Sequence, residues 1–167
     1  MTRRSIPMTL LAIAAVSWAV AVPAPAMADP SPLTFTIDET EAQPGDDVTL
    51  TVTFTNPETV DVVFSYLSVY SSWPTMIGDV KYAITSCTGE ISTCWMLYAS
   101  FDRGAAMHHD VVVPPGATRT VTIVYQVLPT SPCGGGRSID LVLYTYREST
   151  AGAFDEVVPG PSTAVAC

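Results

Sequence analysis

Apolar and polar residues alternate without a fault from Asp47 to Asn56, read D-V-T-L-T-V-T-F-T-N. Val48, Leu50, Val52 and Phe54 share one parity, and Thr49, Thr51, Thr53 and Thr55 share the other. Side chains on a strand point to opposite faces with period two, so this segment can bury one side and wet the other. A helix would spread the same four apolar residues around its circumference. The turn formers Pro44-Gly45-Asp46 precede the segment and Asn56-Pro57 follow it, which predicts a half-buried antiparallel strand.

The same reading predicts further strands along the chain. Leu33 to Glu39 alternates, and a turn over Glu41 to Asp46 leads into the strand above. In Val60 to Ser71 the residues Val62, Phe64, Tyr66 and Tyr70 share a parity with Ser68, and Ser71-Ser72-Trp73-Pro74 breaks the pattern. Val80 to Ser86 and Thr93 to Ser100 read as a hairpin or as neighbours, with a turn at Asp102-Arg103-Gly104. Val111 to Val113 reads as a short strand stopped by Pro114-Pro115, which cannot donate to a ladder. Thr118 to Val127 and Ser138 to Tyr146 alternate again around the Pro/Gly corner of Pro129 to Gly136. A weaker strand covers Thr163 to Cys167, after Pro159-Gly160-Pro161. About seven to nine strands at this spacing, with no sustained helical period after the first 28 residues, predict a two-sheet sandwich, with a closed barrel as the alternative.

Residues 1–28 have a different character. Arg3 and Arg4 precede an apolar run from Leu10 to Val22 broken only by Ser17, and Ala26-Met27-Ala28 fits a small-x-small cleavage pattern. The expectation is a secretory signal peptide over 1–28 and one domain over 29–167. The run is short for a membrane span, and Pro23 and Pro25 follow it, so no membrane association is expected after cleavage. The full chain carries 7 basic and 16 acidic residues; without Arg3 and Arg4 the formal charge is −11. Such an acidic domain argues against nucleic acid, and the charge is read as a solubility device. A monomer is expected. All four cysteines, Cys87, Cys94, Cys133 and Cys167, fall in the exported part. In an oxidising compartment they read as two disulfides with three possible connectivities, of which Cys87–Cys94 and Cys133–Cys167 is favoured.

The order P-G-D-D-V-T-L-T-V-T-F-T-N-P resembles the early strands of secreted bacterial immunoglobulin-like domains, including the conserved repeat domains of unknown function on bacterial surface proteins. V-V-V-P-P-G-A-T-R-T-V-T-I-V-Y-Q-V, from Val111 to Val127, is similar to a second hallmark of that group. The layout as a whole resembles small exported actinobacterial proteins built of one such domain. The resemblance implies an immunoglobulin-like two-sheet antiparallel sandwich and carries over no catalytic or ligand residue.

Candidate chemistry is sparse. His108-His109-Asp110 holds both histidines of the chain, but neighbours on a strand point to opposite faces, so the segment reads as a polar loop. No G-x-S-x-G elbow is present, and no enzyme activity or cofactor is expected. Asp38, Glu39, Glu41, Asp46 and Asp47 could supply hard oxygen ligands to calcium, but they lack a D-x-D-x-D-G loop and read as solvated turn acids. Tyr66, Tyr70, Trp73, Tyr82, Trp95, Tyr98, Tyr144 and Tyr146 are the remaining resource. Trp73, Trp95 and Tyr98 are the candidate ligand contacts, because exposed rings are how β-sandwich modules hold sugars. The expected role is non-catalytic binding of a protein or cell-envelope partner, or a structural role, with carbohydrate binding as the alternative. The segment from Trp73 to His109 is where activity is to be sought.

Overall fold

The computed structural model divides between Pro30 and Ser31 into two units. It describes residues 32–98 and 103–167, all in the second unit, with only the backbone given for Leu97, Tyr98, Arg103 and His109. The signal peptide expected over 1–28 lies outside the described residues.

Ten strands and one short helix are present among the described residues: β1 (Leu33–Ile37), β2 (Glu41–Ala42), β3 (Asp47–Thr55), β4 (Val62–Ser71), α1 (Trp73–Ile77), β5 (Tyr82–Gly89), β6 (Thr93–Tyr98), β7 (Arg103–Val113), β8 (Thr118–Val127), β9 (Ser138–Ser149) and β10 (Gly152–Val165). They form a four-stranded sheet in the order β1-β3-β8-β5 and a six-stranded sheet in the order β2-β10-β9-β4-β7-β6. All pairings are antiparallel except β2 with β10. This is an immunoglobulin-like sandwich. The four-stranded sheet matches the first sheet of that fold, and two extra strands widen the other at the position used by variable-type domains. Here those two strands, β6 and β7, follow β5 in the chain instead of preceding it.

The apolar parity of β3 faces inward in full: Val48, Leu50, Val52 and Phe54 are buried. They meet Val121, Ile123, Tyr125 and Val127 of β8 and Ile139, Leu141 and Leu143 of β9 in one core. Phe54 stacks on Phe64 across the sandwich with ring centroids 4.7 Å apart. At about 25 cal/mol per Å2 of apolar surface, each such side chain contributes roughly 1.5–3 kcal/mol. Two buried hydroxyl pairs run through this core, Tyr82 with Ser71 at 2.9 Å and Tyr125 with Thr163 at 2.6 Å.

One end of the sandwich is pinned by Asn56. Its buried side chain donates to the carbonyls of Val60 at 2.9 Å and Val113 at 2.7 Å, and accepts from the Glu58 N–H at 2.9 Å. Its backbone closes a second loop, donating to Ala117 O at 3.0 Å and accepting from Gly116 N at 2.9 Å.

Several expectations are corrected. Asp110 and its neighbours are not a polar loop: β7 extends through His108-His109-Asp110 from Arg103 to Val113, with its register against β4 shifted at His109-Asp110 and Asp110 at a φ of 46°, so Arg103-Gly104 begins a strand and is not a turn. Glu41–Ala42 is strand where a turn was expected. The parity read for Val60 to Ser71 holds only as far as Phe64. Relative to β9, β4 carries an extra residue, Ser65, between Phe64 and Tyr66, after which Leu67, Val69 and Ser71 are the buried set and Tyr66 and Tyr70 face the other way. Of the two readings for the segments around Val80 to Ser86 and Thr93 to Ser100 the hairpin fails, since β5 pairs with β8 and β6 with β7 in different sheets, and the neighbour reading stands through the Cys87–Cys94 bond. The last strand starts at Gly152, not Thr163, and absorbs Pro159-Gly160-Pro161 at an irregularity in its register.

Both disulfides join the favoured partners. Cys87 is bonded to Cys94 with Cα atoms 6.3 Å apart, and Cys133 to Cys167 at 5.2 Å. The first ties the edge strand of one sheet to the edge strand of the other. No cysteine is free.

Candidate functional site

Directly paired residues of neighbouring strands point to the same side of a sheet. In the six-stranded sheet, Leu67, Met107 and Thr145 are opposite one another and buried against the core. The next position therefore faces outward on every strand. One outward row reads Trp95, Ala106, Ser68, Tyr144 and Val157; the adjacent row reads Thr93, His108, Tyr66, Tyr146 and Asp155. The bulge sets this register. It places Tyr66 opposite His108, where an unbroken strand would have turned Tyr66 inward.

The rings of these two rows touch in sequence. Trp95 lies 4.6 Å from His108, His108 lies 5.2 Å from Tyr66, and Tyr66 lies 5.9 Å from Tyr144, centroid to centroid. Successive planes are turned by 66°, 77° and 63°, the edge-to-face geometry that aromatic quadrupoles favour. The rings lean over the small residues between them. Ala106 and Ser68 are only 4% and 7% exposed although they point away from the core. Trp95 and Val157, at the two ends, are 53% and 59% exposed.

A further outward row, Val112, Val63 and Glu148, borders this surface. There Val63 and Val112 floor a hollow of about 400 Å3 rimmed by Asp61, Glu148, Ser149 and Thr150. The Tyr146 hydroxyl donates to Glu148 at 2.6 Å. That bond, then desolvation, then the nearby Glu148 charge hold the Tyr146 phenol above its usual range. None of these outward rows carries Lys or Arg, so the face is aromatic in the middle and acidic along one side.

Of the candidate contacts, Trp95 belongs to this face. Trp73 does not: it sits on α1, 69% exposed, and among the described residues no ring contact links it to the row. Tyr98 pairs with Arg103 in the backbone ladder, and its side chain lies outside the described residues. Tyr66 and Tyr144 stand among the aromatics the sequence offers but not among its candidate contacts. The signal that could have found them is the pairing register, which periodicity within one strand does not contain.

The acids at the β1–β3 end hold backbone. Asp38 accepts from the Thr49 N–H at 2.7 Å and Asp46 from the Gln43 N–H at 2.8 Å. Partial burial pushes the Asp38 carboxyl up, but hydrogen bonds led by Thr49 outweigh it and leave it below the usual range. Among the described residues no group of three or more His, Cys, Asp or Glu could hold a metal ion, and no helix is long and apolar enough to cross a membrane.

No protein-family model and no curated protein matches the chain. Solved structures are. A putative membrane anchored protein from Corynebacterium diphtheriae superposes with a TM-score of 0.53 at 13% identity, over 81% of this chain and 35% of that one. The major pilin subunit of Bacillus cereus gives 0.47 at 12% identity, over 80% and 40%. An uncharacterized protein from Nocardia farcinica with an immunoglobulin-like fold gives 0.42 at 13% identity, over 80% and 98%. The chain spans about a third of the length of the Corynebacterium protein. At such identities the likeness is one of fold alone, and of these three only the Corynebacterium superposition exceeds a TM-score of 0.5; the strand order of the two sheets is what makes the chain an immunoglobulin-like β-sandwich.

Proposed function

We propose that this chain is an exported, non-catalytic binding domain that holds a protein partner against the outward face of its six-stranded sheet. The observation that carries the reading is the continuous row Trp95–His108–Tyr66–Tyr144 on the solvent side of that sheet. Large rigid aromatics supply contact area at little entropic cost, which is why Trp and Tyr dominate interface hot spots. The partner's matching surface is apolar and flanked by Lys or Arg, because Asp61, Glu148 and Asp155 border the row with no basic residue among them. Two disulfides fit an oxidising compartment and so an exported domain.

Carbohydrate binding fits this face less well. Stacking on a sugar needs a ring lying flat to the surface, and turns of 63–77° between neighbours deny the row a common plane. Only Trp95 offers a largely open ring.

The test is affinity capture from the producing culture with the tagged protein, beside Trp95→Ala and Tyr144→Ala. The partner is expected to be retained by the parent, weakened by about tenfold or more in each variant, and bound faster at low salt than at high salt. A partner retained equally by all three proteins would remove this face from the function. Retention on polysaccharide, lost in Trp95→Ala, would favour the carbohydrate reading.

A further inference from the structure

A second concave site lies away from the aromatic face. A cleft of about 430 Å3 is lined by Pro74, Ile77, Gly78 and Val80 on one side and by Gly135, Gly136, Arg137 and Ser138 on the other. Its volume falls in the range of small-ligand sites. One wall is apolar and open, with Ile77 67% exposed. The other presents a single cation.

That cation is built into place. Gly134, Gly135 and Gly136 all have positive φ, at 66°, 62° and 75°, a region glycine enters without strain. The turn they make folds Arg137 back on its own loop, so that Nη1 donates to Gly134 O at 3.1 Å and to Cys133 O at 3.4 Å. A Cβ at Gly135 would stand 3.1 Å from that nitrogen and crowd it. The loop is fastened by the Cys133–Cys167 disulfide, by Gly134 N to Val165 O at 2.7 Å and by Val165 N to Arg137 O at 2.9 Å. Among the described residues Arg137 forms no ion pair, whereas Arg119 and Arg147 are each paired with a glutamate. An unpaired guanidinium in so acidic a chain, with Nη1 occupied by the loop and Nε and Nη2 left as donors, is suited to a carboxylate.

We propose that this cleft binds a carboxylate carried on an apolar group, the carboxylate on Arg137 and the apolar part against Ile77 and Pro74. The inference does not depend on the aromatic face. The ligand chemistry can come from a free organic acid or from the C-terminal residue of a peptide.

Both sources can be tested by nuclear magnetic resonance on the full chain, following the Gly135 and Gly136 amides and the Arg137 Nε–H. The probes are 4-phenylbutyrate and its amide, and acetyl-Gly-Gly-Leu as acid and as amide. At least one acid is expected to shift these resonances saturably at up to about 10 mM, with its amide about tenfold weaker. Arg137→Gln and Ile77→Asp, both at exposed positions, are each expected to weaken that acid about tenfold with the fold intact by dispersion of the spectrum. Whichever acid binds tighter identifies the source. The proposal is overturned if neither acid shifts the resonances, if acid and amide bind alike, or if Arg137→Gln binds as the parent does.

Discussion

Replacing Asn56 by alanine tests how one buried side chain ties the β3–β4 loop to the end of β7. Its amide group donates to two carbonyls and its oxygen accepts one N–H. Each bond has a net worth of about 1 kcal/mol, and a carbonyl left buried without a donor costs about 1–3 kcal/mol more. The Val113 bond is fully buried, whereas those at Val60 and Glu58 are partly so. Full desolvation therefore applies to one group, and the total comes to about 4 kcal/mol. For a domain of this size that lowers Tm by roughly 12–16 °C. The control is Thr55→Ala, one residue earlier, which loses only an exposed hydroxyl pair with Thr118 at 3.0 Å and should cost about 0.5 kcal/mol. Urea unfolding followed by circular dichroism reads both. If Asn56→Ala costs no more than Thr55→Ala, the accounting for this corner is wrong. Asn56→Asp adds a sign. It aims an acid at two carbonyl oxygens, so its folded pKa must rise above the unfolded value of about 3.9. Its cost should be small below that pH and grow as pH rises through the folded pKa.

Removing Cys87–Cys94 as a double serine variant should cost about 2.5 kcal/mol and removing Cys133–Cys167 about 4 kcal/mol, both read as a fall in the urea midpoint. The Tyr125 hydroxyl is pushed up by burial, only partly countered by its bond to Thr163. Its share of stability should be present below about pH 10, where the unfolded phenol starts to ionise, and be lost as pH climbs through the raised folded value. Tyr125→Phe should flatten that alkaline limb of a stability-against-pH curve. Asp38 is held below its usual range, so its contribution should stand above the unfolded value near pH 3.9 and fade as acid is added; Asp38→Asn should remove that limb. At Gly104 an added Cβ would collide with the Val69 carbonyl, so Gly104→Ala should destabilise β7 against β4 by about 1–3 kcal/mol in the same melts.

What sequence could and could not disclose follows from how local each signal is. Thr118–Val127 and Ser138–Tyr146 were readable because one buried face imposes one parity on an unbroken strand. β4 broke that rule at Ser65, where an inserted residue exchanges the two faces and leaves no mark in composition. β7 was hidden because its outward positions include Gly104, Ala106 and His108, residues that do not announce a strand. β10 crosses two prolines with its register shifted around them, on a strand whose partner β2 spans only two residues. The cysteine pairs were readable from spacing, but not that Cys87 and Cys94 belong to opposite sheets. The aromatic face requires long-range pairing among β6, β7, β4 and β9, so of its rings only Trp95 is a candidate contact from sequence.

The Cys87–Cys94 bond has a mechanical consequence. The sandwich has two flanks, and on the β1/β2 side the chain itself passes from one sheet to the other between Ile37 and Glu41. On the opposite flank, β5 and β6, the disulfide does the same. The two sheets are thus laced along both margins, and prying them apart like the covers of a book meets a covalent stop on either side. A tensile load must instead shear strands lengthwise within a sheet, where the hydrogen bonds of the ladder share the force.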